Sequence, residues 1–198
     1  MKILADNGHS IETPGELSPV GFLWQYAWNR VITARIVSAL TDLGHDAQLL
    51  VPALIDVPLP KRCRRVNEIC RLLGKDNVIL ISIHANAAGK GDKWLDATGW
   101  CAYTTRGDTK ADALATCLYD AAKFHLPGQR LRTDYTDGDP DLEADFYILR
   151  HTLPPAVLVE NFFMDSRRDH KFLLSADGQQ AIVNLHVDGI CRYLSTAA

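Results

Sequence analysis

Apolar residues recur along the chain with two spacings, and these predict strands and helices in alternation. Residues 78–83 (VILISI) are almost continuously apolar and β-branched, as in a strand that is covered on both faces. Residues 23–43 carry apolar side chains every three or four positions, as in an amphipathic helix, and Gly44 follows as a helix-ending residue. The two patterns therefore predict a central strand and a long first helix.

The same patterns predict the other elements. They indicate strands at residues 2–6, 47–51, 100–105 and 156–159, and helices at residues 62–73, 109–124 and 177–194. Residues 126–143 are rich in glycine, proline and aspartate and are predicted to form a loop. Strands that alternate with helices imply an α/β fold. We expect residues 1–198 to form a single three-layer domain, with a mostly parallel twisted sheet and helices on both faces.

Three residues that could carry chemistry follow predicted strands. His9 ends the segment DNGH at residues 6–9, His84 lies in SIHANA at residues 82–87, and Glu160 follows the apolar run VLV. Ligands of open parallel sheets gather beyond the carboxyl ends of the strands, so we expect these side chains to meet there. Imidazole is the commonest zinc-ligating side chain, and a nearby carboxylate can act as a general base. The pattern predicts a zinc hydrolase site.

Composition and charge exclude several function classes. Of the 198 residues, 47% are hydrophobic and 23% are charged, which is typical of a globular domain. The formal net charge of −3 gives no basic field for nucleic acid, and no apolar stretch approaches the length of a membrane span. The five cysteines form no metal-binding spacing and are expected to be reduced thiols. We expect a monomer without nucleic-acid or membrane partners.

Four segments in order make the chain resemble the zinc-dependent N-acetylmuramoyl-L-alanine amidases of the amidase-3 type. They are the opening strand with DNGH, LPKR at residues 59–62 with Asn67 after it, SIHANA, and LPPAVLVENFFM at residues 153–164. These enzymes cleave peptidoglycan between the muramic acid lactyl group and the first alanine of the stem peptide. In the family, two histidines bind zinc and the final glutamate is catalytic. The resemblance therefore implies that His9 and His84 bind Zn²⁺ and that Glu160 is catalytic.

One position departs from the family pattern. The remaining protein ligand of the family is a glutamate four residues before an asparagine and a basic residue; here the asparagine is Asn29, and the position four earlier is Gln25. Gln25 lies two helical turns before Ile32 and should share its inward side of the helix. We expect Gln25 to be the third ligand, and a neutral amide should hold zinc less tightly than a carboxylate. In the loop after the first strand, Glu16 and Glu12 are the alternative ligands.

Two further residues are candidates for substrate binding. Asn86 follows the zinc histidine in SIHANA, where it is either a turn residue or a group that positions the substrate or the metal ligands. His151 ends the segment before the strand that carries Glu160. Residues 134–145 (DYTDGDPDLEAD) are strongly acidic and read first as a solvated loop, or else as a rim that contacts amino groups of the stem peptide.

The expected activity is metal-assisted hydrolysis of an amide in peptidoglycan, for lysis or remodelling of the cell wall. No separate wall-binding domain is expected. The chain enters its first predicted strand without a basic and apolar leader, so we expect synthesis in the cytoplasm without an export signal. Action on the wall would then follow release or delivery, as for a phage endolysin or a secreted effector.

Three other functions remain open at the level of the sequence. The first is a peptidoglycan-binding pseudoenzyme whose metal site is weakened by Gln25. The second is another zinc peptidase that acts on the stem peptide, such as a carboxypeptidase. The third is an enzyme like the nucleoside phosphorylases, which share the layer architecture. That third function requires a phosphate-binding turn, for which the loop at residues 89–91 (GKG) is a weak candidate.

Overall fold

The computed structural model describes residues 1–12, 17–53 and 55–196, and its core is a sheet of six strands. The strands are β1 (Lys2–Asn7), β2 (Asp46–Leu49), β3 (Val78–Asn86), β4 (Trp100–Thr104), β5 (Leu142–Glu143) and β6 (Ala156–Phe163). Their order across the sheet is β2-β1-β3-β6-β4-β5. Strands β1, β2, β3 and β6 are parallel, whereas β4 is antiparallel to β6 and β5 runs parallel to β4. The predicted mostly parallel sheet is confirmed.

Helices cover both faces of this sheet, as predicted. They are α1 (Gln25–Asp42), α2 (Leu59–Leu73), α3 (Lys110–His125), α4 (Tyr147–Arg150), α5 (Arg167–Leu174) and α6 (Ala176–Thr196), with a short 3₁₀ turn at Lys75–Asn77. One apolar cluster joins α1, α3 and α6 to the sheet, and a second joins α2 and α4 to the other face. Thr109 caps α3 in a reciprocal capping box with Asp112, which explains why this helix begins where the sequence predicts.

Alternation along the central strands decides which side chains face the reacting site. The odd-numbered residues of β3 pack against α1, α3 and α6, whereas Leu80 packs on the α2 side. Because side chains alternate along a strand, Ser82 and His84 share the face of Leu80. The same alternation places Asp6 in β1 and Glu160 in β6 on this face. Towards the carboxyl ends of the strands, the α2 face therefore changes from apolar to polar.

The structure extends two strands beyond their predicted ends. Strand β3 continues to Asn86 and β6 to Phe163, so His84 and Glu160 lie within strands rather than after them. The extra residues are paired, because β6 bonds to β3 on one side and to β4 on the other. The sequence analysis also did not predict β5, α4 or α5, and it had placed β5 within a loop.

Two further predictions concern the reduced state of the cysteines and the absence of a membrane span. All five cysteines are free thiols, and three of them, Cys63, Cys70 and Cys101, are buried. Burial raises the pKa of Cys101 to about 12, so this thiol stays protonated at neutral pH. Within the described ranges, the chain contains no helix that is both long enough and apolar enough to cross a lipid bilayer.

Candidate active site

Two histidines lie side by side at the carboxyl ends of the parallel strands. His84 belongs to β3, and His9 follows the end of β1 by two residues. Their ring centroids are 4.9 Å apart and the ring planes are nearly perpendicular, at 83°. The structure thus brings together the two side chains that the sequence analysis singled out as metal ligands.

The backbone before His9 is shaped to admit the His84 ring. A Cβ atom at Gly8 would overlap the imidazole of His84, so this position requires a glycine. His9 itself has a φ of 63°, a left-handed conformation that is uncommon for a residue with a side chain. Arg30 and Arg62 each donate a hydrogen bond to the carbonyl oxygen of His9, at 3.3 Å. These bonds hold the strained backbone that presents the His9 imidazole.

Gln25 contacts His84 from the first turn of α1. Its side chain is buried, and Gln25 Oε1 lies 3.3 Å from His84 Nδ1. Asn29, one turn later in the helix, donates a hydrogen bond to Gln25 Oε1 at 3.2 Å and another to the Gly8 carbonyl at 3.0 Å. The amide oxygen of Gln25 is thereby directed at His84. The structure therefore places the Gln25 side chain beside His84.

A chain of hydrogen bonds fixes the other side of the His84 ring. Arg62 Nη1 donates to Asp6 Oδ1 at 2.9 Å, and both side chains are buried. Ser82 Oγ donates to Asp6 Oδ2 at 2.7 Å and lies 3.1 Å from His84 Nε2. Since the single Ser82 proton goes to Asp6, the serine oxygen accepts from Nε2–H of His84. This tautomer leaves a lone pair on Nδ1, facing the Gln25 oxygen.

The electrostatics of the site keep both imidazoles neutral. Burial lowers the pKa of His84 well below its usual value, and the charges of His9 and Arg62 lower it further. Burial and then Arg62 lower the pKa of His9, against a smaller opposite effect of Asp6. Neutral imidazole is the form that ligates metals, so the site is prepared for a cation at neutral pH.

Glu160 stands directly opposite His84 on the neighbouring strand. The two residues form a register pair between β3 and β6, and both side chains face the α2 side of the sheet. Glu160 is half-buried. The next residue, Asn161, points to the other face, where its Nδ2 donates to the His84 carbonyl at 2.9 Å and its Oδ1 accepts from Trp100 Nε1 at 3.1 Å. These bonds hold the two strands in the register that pairs the carboxylate with the histidine.

A cleft of about 380 Å³ opens over these residues. Its polar floor is formed by Asp6, His9, Arg62, Ser82, His84 and Glu160. Its apolar wall is formed by Val57, Pro58, Leu59, Phe146, Tyr147, Ile148 and Leu158. A carboxylate and two neutral imidazoles at the base of such a cleft can bind a cation and move a proton beside it.

The other predicted ligand and substrate-binding residues that the structure describes, Glu12, Asn86 and His151, are not among those that line this cleft. Glu12 is exposed, and its carboxylate accepts a hydrogen bond from the backbone of Asp56 at 3.3 Å; Glu16 lies outside the described residues. Asn86 ends β3, where its carbonyl accepts from Met164 at 2.8 Å. His151 is exposed and is not among the described residues that line the cleft, but its ring stacks on Tyr147 at 3.9 Å.

Sequence reasoning missed Ser82 and the aromatic pair at residues 146–147. Ser82 precedes His84 by two positions, so strand alternation alone places both on one face, and that signal was available. Phe146 and Tyr147 follow the acidic segment, and nothing in their local sequence indicates that they return to the cleft. The Arg62 side chain, which the sequence analysis did not assign to the site, holds both Asp6 and the His9 backbone.

Comparison with known proteins now decides the family. The family described as N-acetylmuramoyl-L-alanine amidase matches residues 3–192 of the chain. The chain belongs to this family. Membership places it among the enzymes that hydrolyse amide bonds of peptidoglycan, and it displaces the nucleoside-phosphorylase-like alternative. None of the curated proteins compared matches the chain.

Several solved structures share the fold over almost the whole chain. The amidase AmiC2 of Nostoc punctiforme is 26% identical with a TM-score of 0.80, and the match covers 98% of this chain and 97% of AmiC2. An amidase from Clostridium difficile 630 is 23% identical with a TM-score of 0.81, over 98% and 97% of the two chains. The catalytic domain of the CD27L endolysin, which targets Clostridia Difficile, is 23% identical with a TM-score of 0.70, over 97% of both chains.

Proposed function

We propose that this amidase cleaves the bond between N-acetylmuramic acid and L-alanine, with one zinc ion held by His9, His84 and Gln25. The observation that carries the proposal is the approach of His84 Nδ1 to Gln25 Oε1 at 3.3 Å, with a lone pair on each atom. Two atoms bound to one tetrahedral zinc at about 2.0–2.1 Å lie about 3.3–3.4 Å apart. The spacing of these two atoms therefore fits a shared zinc ion, and the His9 ring lies next to them.

His9, His84 and Gln25 would hold the zinc ion, which would supply Lewis acidity to lower the pKa of water and polarise the scissile carbonyl. Glu160, paired with His84 across the strands, accepts the proton of the attacking water and returns it to the leaving amine of alanine. Ser82 and Asp6 keep the His84 proton on Nε2, so that Nδ1 is always available as a ligand. Glu160 therefore carries the proton that is transferred in the reaction, while His84 keeps its own proton on Nε2.

Side chains in and near the cleft are assigned roles in substrate binding. Phe146 and Tyr147 offer an apolar wall for the glycan or the lactyl methyl group, next to the polar floor. His151 supports the Tyr147 ring, on which it stacks. Asn86, two residues after His84 in β3, helps to position the substrate. For the place of action we propose the cell wall, reached after release or delivery as by an endolysin or an effector.

Product analysis on purified peptidoglycan tests this function. We expect digestion to free one new N-terminal L-alanine for each peptide released from muramic acid, with loss of activity on chelation and recovery on addition of zinc. New termini within the stem peptide would identify another zinc peptidase instead. Binding to peptidoglycan with no release of peptides would identify the pseudoenzyme.

The neutral third ligand supports that pseudoenzyme as a second candidate and leads to a prediction. Gln25→Glu should tighten zinc binding by about tenfold or more, because a carboxylate offsets one charge of the ion. Residue 25 is also the first residue of α1, whose first turn carries no acidic residue, so the helix dipole favours the change. Competition of a chromophoric chelator for zinc measures the affinity of the two proteins.

The matched control for this change is Gln180→Glu, which makes the same substitution on the exposed surface near the start of α6. We expect that control to leave zinc affinity unchanged. Equal affinities for the wild type and Gln25→Glu would show that residue 25 is not a ligand. Tighter zinc binding without any hydrolysis would favour the pseudoenzyme.

A further inference from the structure

Three aspartates converge at a second place in the fold. Asp112 lies in the first turn of α3, and Asp139 and Asp141 lie in the loop before β5. One carboxylate oxygen from each is within 4.8 Å of the others. Asp141 is almost fully buried, with 2% of its surface exposed, while the other two are half-buried.

This cluster is distinct from the candidate active site. Asp141 is bonded to Thr104, the last residue of β4. Strand β4 runs antiparallel to β6, with Cys101 opposite Glu160 and Tyr103 opposite Leu158. Thr104 therefore lies towards the amino end of β6, away from the edge at which the histidines meet. A cation bound here would be a second one, separate from the proposed zinc.

The decisive observation is an unpartnered oxygen at the buried carboxylate. Asp141 Oδ2 accepts a hydrogen bond from Thr104 Oγ1 at 2.6 Å, but Asp141 Oδ1 is fully buried and has no hydrogen-bond partner among the described residues. Buried carboxylate oxygens are normally satisfied, so one without a protein partner is a place where a proton, a water molecule or a cation can bind. When ionised, the other carboxylates of the cluster supply further negative charge rather than a donor.

The neighbouring carboxylates keep lone pairs for a ligand. The Asp112 oxygens accept from the backbone nitrogen and the hydroxyl of Thr109, at 2.6 and 2.7 Å, and Asp139 Oδ1 accepts from the Asp141 backbone at 3.3 Å. Each carboxylate has about four lone-pair sites, so these bonds leave room for a metal. Oxygen donors alone suit Ca²⁺, Mg²⁺ or Mn²⁺ rather than zinc. An irregular set completed by water suits calcium best, because magnesium demands a near-ideal octahedron.

We infer that Asp112, Asp139 and Asp141 form a binding site for a hard divalent cation, with calcium preferred. The ion would tie the start of α3 to the loop at residues 126–141. That loop leads through β5 to Phe146, whose ring packs edge-on against Tyr103 at 5.1 Å and which lines the active-site cleft. The cation therefore holds one wall of the cleft from the opposite edge of the sheet.

A proton competes with the cation for the Asp141 carboxylate. Burial, and then the Asp139 carboxyl, which can share a hydrogen bond with Asp141 only when one of the two is protonated, raise the pKa of Asp141 to about 8, against a smaller lowering by Thr104. Without a metal, the carboxyl would hold a proton shared with Asp139 near neutral pH.

Calorimetric titration of the metal-stripped full chain with calcium chloride tests the site. We expect one calcium per chain with a Kd at or below about 1 mM, weaker binding of magnesium, and a rise in Tm with calcium concentration. Asp141→Asn should weaken calcium binding by at least about tenfold, since the charge of the ligands sets the affinity. Asp139→Asn should act in the same direction and serves if the first variant does not fold.

Two controls separate this site from its surroundings. Asp137→Asn changes an exposed aspartate of the same loop outside the cluster and should leave calcium binding unchanged. His84→Ala should also keep it, whatever happens to zinc, so the two metal proposals fail or succeed independently. Absence of calcium binding in the wild type would leave the proton as the only occupant and overturn the inference. Undiminished binding by Asp141→Asn and Asp139→Asn would also overturn it.

Discussion

His84→Ala is expected to remove bound zinc and peptidoglycan hydrolysis together. The substitution takes away Nδ1, the atom that faces Gln25 Oε1 at 3.3 Å, and leaves His9 and a neutral amide as the remaining proposed ligands. Two such ligands hold zinc far too weakly to survive dialysis, because structural and catalytic sites need three or four. Metal content by atomic emission and release of peptides from sacculi measure the two losses.

The control for this prediction is His45→Ala. His45 lies at the amino end of β2, away from the cleft, and contacts Cys191 Sγ through Nε2 at 3.4 Å. This variant should keep its zinc and its activity. The metal assignment would be wrong if His84→Ala kept a full zinc content, and the catalytic assignment would be wrong if it hydrolysed peptidoglycan at the wild-type rate.

The elements with strong patterns could be predicted from the sequence, and they are the ones that place the site. The apolar runs at residues 78–83 and 156–159 identified β3 and β6 correctly. Their true ends could not be predicted, because polar residues continue each strand through pairing with neighbours that are distant in sequence. Trp100, for example, pairs with Asn161 across β4 and β6. Such pairs depend on the order of the strands in the sheet, which the local sequence does not indicate.

The short helices had no local pattern strong enough to detect. Helix α4 has four residues and α5 has eight, less than the length at which helical periodicity becomes clear. Helix α5 is held by distant partners instead: Asp169 accepts hydrogen bonds from Thr98 at 2.6 Å and from the backbone of Gly99 at 3.1 Å. These contacts span about 70 positions and leave no trace in neighbouring residues.

The hydrogen-bond partners of His84 were also hard to predict from the local sequence. His9, His84 and Gln25 could be located by their order along the chain, because family resemblance preserves order. The acceptor for His84 Nε2 could not, since Ser82 looks like any small strand residue until Asp6 of the adjacent strand orients its hydroxyl. These contacts behind His84 depend on the register between β1 and β3 rather than on the composition of either strand.

The second large effect is expected for Glu160→Gln, which should slow hydrolysis by about two to four orders of magnitude while zinc remains bound. Glutamine keeps the size of the side chain but cannot accept the proton of the attacking water. Because Glu160 lies across from His84 on β6, the amide should fit without moving the histidine. Single-turnover rates on purified muropeptides, with zinc content measured on the same samples, provide the comparison.

Glu68→Gln, an equal change on the exposed side of α2, is the control and should keep the wild-type rate. The pattern of losses then separates the two roles open to a carboxylate at position 160. A proton acceptor loses rate and keeps metal, whereas a ligand loses both, as predicted for His84→Ala. If Glu160→Gln were isolated without zinc, Glu160 would join His9 and His84 as a ligand. Gln25 would then become a neighbour of the metal rather than its third ligand, and the proton acceptor would have to be sought elsewhere along the cleft floor.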